Sequence, residues 1–182
     1  METDNEKAPL IVESTEEFSV NLNQFSCMFG FTDTIRLIMA SDEVIGRTRT
    51  ILATFWPIKK IVEEKFMTEI KLWGTPFYPS HENDVKTKYF LCQLFKEYFF
   101  LGWHFKLLTD LQRNDSCATS LIFEKKTSLL TNTICLSLNQ LDKIQVFAAD
   151  NICEDIKEVI VSIWPLSIQT EEIVDYGSFF LV

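Results

Sequence analysis

The side chains of this sequence that could do chemistry are few and far apart. It holds two histidines, His81 and His104, and five cysteines, Cys27, Cys92, Cys117, Cys135 and Cys153. A thiolate nucleophile needs a base or a positive field beside it. The arrangement that best meets this need is His104 with Cys117 across a polar turn, with Asp110 and Asp115 as the carboxylates of the same hairpin. Cys92 falls in the middle of a helical stretch and His104 beyond its end, so those two do not meet. His81 and His104 flank that stretch, about 30 Å apart at 1.5 Å per residue, and cannot share a site. Structural zinc needs four Cys or His at tight spacing, and these are dispersed. With five glycines there is little material for a phosphate-binding loop, and none of the known patterns occurs. The pairs Glu63-Glu64 and Glu171-Glu172 read as strand residues, where neighbours point to opposite faces and make no acid–base couple. The expectation is a protein that is not an enzyme and takes no cofactor or metal, with His104, Asp110 and Cys117 as the weak exception.

Charge narrows the partners. Seventeen basic residues face 26 acidic ones, for a net charge of −9. Binding nucleic acid requires clustered Lys and Arg, and only Lys59-Lys60 and Lys125-Lys126 sit together. The same acidity disfavours anionic membranes, and no apolar run reaches the ~18 residues of a bilayer span. The start, METDNEKAPL, lacks a signal peptide's basic and apolar regions. An odd number of scattered thiols suits a reducing compartment. These readings point to a cytoplasmic protein, with the nucleus also open, whose partner is another protein. Asn114-Asp115-Ser116 is then expected to stay unglycosylated.

Several elements are legible. Residues 1–20 read as a flexible acidic tail and 21–182 as a single domain. Ile35–Met39 is a short apolar run suited to a buried strand. Ser41 or Asp42 caps a helix carrying Val44, Ile45, Thr48, Ile51, Leu52 and Phe55 at helical spacing, which Pro57 stops. Residues 61–72 read as one return strand. A second helix starts at Ser80 or Asn83 and runs to Leu101. It is apolar on more than one side, so it must be buried twice or hold a partner. Gly102 closes it. Residues 105–108 and 120–123 form a hairpin, 134–138 and 144–148 are strands, and a third helix carries Ile152, Ile156, Val159, Ile160 and Ile163.

The chain also repeats itself. Ile35 falls on Ile144, Asp42 on Asp150, Trp56-Pro57 on Trp164-Pro165 and, with no further gap, Glu63-Glu64 on Glu171-Glu172. The predicted fold is α+β, with two βαβ-type repeats at 34–72 and 143–182 joined by a helix and a β-hairpin. The helices should pack on one face of a mixed or mainly antiparallel sheet. Both Trp residues are expected in the core. The strand at 178–182 is expected inside the sheet; an open edge there would permit weak self-association.

For function, the loop at 73–79 stands out. Trp73, Pro76, Phe77 and Tyr78 form a stiff aromatic surface of the kind found at interfaces. The sequence therefore points to an interaction or scaffold module presenting this loop and an apolar helix surface. The alternative is a small-molecule or lipid-binding domain with a Phe-lined cavity.

Overall fold

A computed structural model describes residues 23–30, 32–78, 81–110, 119–139, 143–148, 150–166, 168–174 and 177–181. The acidic segment 1–20, Asp115 and Cys117 lie outside the described residues. The first part of the chain folds as β1 (Gln24–Gly30), β2 (Thr34–Ile38), α1 (Asp42–Phe55), β3 (Ile58–Glu64), β4 (Met67–Leu72), α2 (His81–Phe100), β5 (Trp103–Asp110) and β6 (Thr119–Lys125). These six strands make one sheet in the order β3-β4-β2-β1-β6-β5. The rest folds as β7 (Cys135–Asn139), β8 (Lys143–Phe147), α3 (Asp150–Ile163), β9 (Thr170–Val174) and β10 (Gly177–Leu181), in a second sheet ordered β7-β8-β10-β9. Every strand pair is antiparallel. The fold is thus α+β, but it has two sheets where the sequence suggested one.

Alternation places the strands. In β1, Phe25 and Cys27 turn inward and are buried, while Gln24 is exposed. In β4, Thr68, Ile70 and Leu72 do the same. On α1, Val44, Thr48 and Leu52 form the buried stripe at a spacing of four. Its N-cap is Ser41, whose Oγ accepts from the Val44 amide at 3.4 Å. At the other end the Trp56 amide closes the last turn on Leu52 O, and Pro57 starts the exit.

The core of the larger sheet is aromatic. Phe25 stacks on Phe123 at 5.0 Å between ring centres, and meets Tyr98 and Trp103 edge-on. The smaller sheet buries Val146 and Cys153 with Ile144, Ile156, Ile160 and Ile168 around them.

Helix α2 is buried on two sides, as its all-round apolar sequence requires. Phe90, Leu94 and Tyr98 enter the larger core. Its other side meets the smaller sheet: Lys88 Nζ donates to Gln145 Oε1 at 2.8 Å, and Thr133 Oγ1 donates to the Cys92 carbonyl at 2.7 Å. The helix ends at Gly102, whose φ of 79° is a left-handed value.

Three sequence expectations are corrected. The stretch 61–72 is not one strand but the hairpin β3–β4, turning at Lys65 and Phe66. Each expected βαβ unit is therefore βαββ: β2 pairs with β4, β3 lies beyond, and β8, α3, β9 and β10 follow the same plan. The pairing Glu63-Glu64 with Glu171-Glu172 also fails. The hairpin ends Glu64–Met67 and Val174–Gly177 correspond by register, because the connection after α3 is longer than that after α1. Strand β10 is internal, bonded to both β8 and β9, so it offers no open edge for self-association.

Candidate interaction surface

The possible catalytic trio is not assembled among the described residues. His104 and Asp110 stand at opposite ends of β5, about 20 Å apart at the rise of a strand. The His104 ring meets Phe99 at 5.5 Å, and its Nε2 lies 2.8 Å from the Thr127 carbonyl. Cys27 is fully buried, and burial pushes its thiol up to about 12. Among the described residues no group of three or more Cys, His, Asp or Glu is placed to hold a metal, and no helix is long and apolar enough to cross a membrane.

The loop at 73–79 is divided between core and surface. Pro76 is buried, and its carbonyl accepts from Thr87 Oγ1 of α2 at 3.0 Å. Phe77 packs edge-on against Phe29 at 5.3 Å and Trp56 at 5.8 Å. Trp73 and Tyr78 are exposed, with the Lys59 ammonium 4.8 Å from the Trp73 ring centre. Two of the four aromatic and proline residues therefore cover the core, and two face solvent.

Most of the apolar surface of α2 is covered, with Phe90, Leu94 and Tyr98 in the core and Phe100 left exposed. Exposed apolar side chains occur on β5, at Phe105, Leu107 and Leu108, and a further run lies on the second sheet and its helix. Ile163 is 79% exposed, and Val159, Trp164 and Leu166 beside it are also exposed. On β7, Leu136 and Leu138 are exposed; they pair with Val146 and Ile144 and so share their face of the sheet, the face that α3 covers. Trp164 was expected in the core and is not: it is 59% exposed, against 7% for Trp56.

Trp56 is covered by α2. Its ring meets Phe90 at 5.3 Å, and the preceding Phe55 meets Tyr89 at 5.8 Å and Phe90 at 5.7 Å. The same helix covers β1, where Phe29 meets Phe90 at 6.5 Å. The second sheet has a helix in the place of α1, but no described helix lies where α2 would, over β7 and against α3. Counting back from the two Trp residues, Ile51 and Phe55 are half-buried while Val159 and Ile163 are exposed. The signal was present in the sequence: α3 carries five branched apolar residues on a stripe wider than its small core needs.

Charge on this surface is negative. Glu154, Asp155 and Glu158 are exposed along α3. Where α1 directs Arg47 at Glu97 of α2 (3.9 Å), the matching position of α3 is Asp155.

Residues 23–124 match the model of one domain family, whose description assigns no activity. That span is the larger sheet, from the residue before β1 into β6, with α1 and α2; the second sheet lies beyond it. No curated protein and no solved structure matches the chain.

Proposed function

The chain belongs to the domain family matched at residues 23–124, and on that premise we propose that it is a non-enzymatic interaction module whose second sheet docks an amphipathic helix of a partner protein. The observation that carries this reading is the run of exposed apolar side chains Val159, Ile163, Trp164, Leu136 and Leu138, at positions whose counterparts on the first sheet lie under α2. A helix laid in a groove presents apolar anchors at spacings of three and four, which suits a floor of this shape. The exposed Trp73 and Tyr78 form a second contact region on the loop.

Charge selects the kind of helix. Asp155 takes the place of Arg47, so a partner residue in the position of Glu97 should be Lys or Arg. A second copy of this chain offering its own α2 would set Glu97 against Asp155, and its α2 is already buried on two sides. The partner is accordingly another protein with a basic, aromatic-bearing helix, met in the cytoplasm, and neither nucleic acid nor membrane. A Phe-lined ligand cavity is less well supported, because Phe25, Phe90 and Phe123 are fully packed.

Calorimetric titration of the full chain with two helical peptides tests this. One carries residues 81–100 as they stand and the other carries Glu97→Lys. The Lys peptide should bind the more tightly, Asp155→Lys should reverse the preference, and Ile163→Asp should abolish binding of both. Absence of binding by either peptide up to high micromolar concentration, or binding that ignores Ile163, refutes the reading.

A further inference from the structure

Two thiols meet where the sheets join. Cys92, on the side of α2 facing the smaller sheet, and Cys135, the first residue of β7, line one groove and lie close enough for each thiol to act on the other's acidity. They line a groove of about 530 Å³ with Leu91, Phe95 and Ile134. Cys92 is buried, whereas Cys135 is half-buried and reachable from the groove. Lys88, one turn before Cys92 on α2, places its ammonium near Cys135; it is itself paired with Asp84 at 2.6 Å and bonded to Gln145.

These surroundings divide the two thiols into different roles. The hydrogen bond from Cys92 stabilises a thiolate on Cys135, and the Lys88 charge adds to it. Burial and Asp84 oppose them, and the balance pulls the Cys135 thiol down to about 7. As the donor of that bond, and being buried, Cys92 is held in its protonated form, with its pKa raised. A nucleophilic thiolate open to a groove with a neutral thiol beside it is the arrangement of an attacking and a resolving cysteine.

We propose that Cys92 and Cys135 are a peroxide-sensitive pair that closes to a disulfide between α2 and β7. The Cys135 thiolate attacks one oxygen of hydrogen peroxide. The O–O bond breaks, hydroxide leaves and takes up a proton as water, and Cys135 becomes a sulfenic acid. The Cys92 sulfur then attacks the Cys135 sulfur, the S–O bond breaks, and the hydroxyl leaves with the Cys92 proton as a second water. Two thiols are oxidised by two electrons in all, and one peroxide is reduced to two waters. Closure forms one S–S bond of about 2.05 Å across the groove that both residues line. The product ties the family-matched sheet, through α2, to the sheet that follows it. This inference is independent of the helix-docking reading.

The test uses the reduced full chain treated with stoichiometric hydrogen peroxide, blocked with an alkylating agent and digested without reductant. The expected product is a cross-linked pair of peptides holding Cys92 and Cys135, absent before treatment and released by dithiothreitol. In Cys92→Ser, Cys135 should stop at a sulfenic acid that a 1,3-dione reagent traps. In Cys135→Ser, Cys92 should stay reduced at the same dose. Iodoacetamide at pH 7 should label Cys135 at least tenfold faster than Cys27 or Cys153, and Lys88→Met should slow that labelling several-fold with the circular dichroism unchanged. No cross-link, or oxidation of Cys27 and Cys153 as fast as that of Cys135, overturns the proposal.

Discussion

The hydroxyls of Thr48 and Tyr98 meet at 2.7 Å, joining α1 to α2 above the sheet. Thr48 Oγ1 also donates to the Val44 carbonyl at 2.7 Å. The Tyr98 hydroxyl also lies beside the Cys27 thiol, so these buried groups form one small polar cluster between β1, α1 and α2. Tyr98 is fully buried, and that burial, more than any neighbour, holds its phenol well above the ordinary value. Tyr98→Phe removes the hydroxyl that bonds Thr48 in this dry site and should cost about 1–2 kcal/mol. Urea unfolding of the variant reads this directly; a neutral effect would mean that the bond does not hold the helices.

The two Trp residues that close helices should behave differently on truncation. Trp56→Ala opens a cavity between α1 and α2 and should lose about 3–5 kcal/mol. Trp164→Ala removes a ring that is mostly in water, and its loss should stay under about 1 kcal/mol. Parallel denaturation curves compare them, and equal losses would contradict the exposure difference.

Two glycines test backbone constraint against open space. At Gly102, φ is 79° and an added Cβ would lie 2.6 Å from the Lys126 carbonyl oxygen. Gly102→Ala should therefore cost at least about 2 kcal/mol. At Gly46, inside α1, an added Cβ meets nothing within 4 Å. Gly46→Ala should add about 0.5–1 kcal/mol through helix propensity alone. Thermal melts of the pair should move in opposite directions.

Within the loop at 73–79, stability and recognition should separate. Phe77→Ala strips packing from Phe29 and Trp56 and should lower stability by about 2–3 kcal/mol. Trp73→Ala touches little but the Lys59 ammonium and should cost about 0.5 kcal/mol. Calorimetric melting that ranks Trp73 above Phe77 would reverse these roles.

Much of the fold is written in local pattern. The Ser41 cap, the Pro57 stop, the Val44–Thr48–Leu52 stripe, the Gly102 terminus and the hairpin around 111–118 all follow from short-range rules. Strand β1 escaped as an element because its polar–apolar alternation holds only over Gln24–Cys27 and is broken by the apolar run Cys27-Met28-Phe29. The hairpin β3–β4 escaped because its turn is Lys65-Phe66, with neither Gly nor Asn. Division into two sheets is not local at all: it depends on β6 returning to β1, and on β7 starting afresh beyond α2. At the surface, the composition of residues 73–79 was legible but not their split, since burial of Pro76 and Phe77 depends on where α2 crosses. Trp164 misled for a similar reason. Its local setting resembles that of Trp56, and only the helix alongside distinguishes them.

The placement of α2 bears on how the molecule comes apart. One of its sides completes the larger core and the other supports Gln145 of the smaller sheet and Thr133 just before β7. A wall common to two rooms cannot be removed from one alone. Loss of α2 uncovers the larger core and the Gln145 face of the smaller sheet together, so unfolding of the larger sheet should weaken the β7–β10 sheet as well.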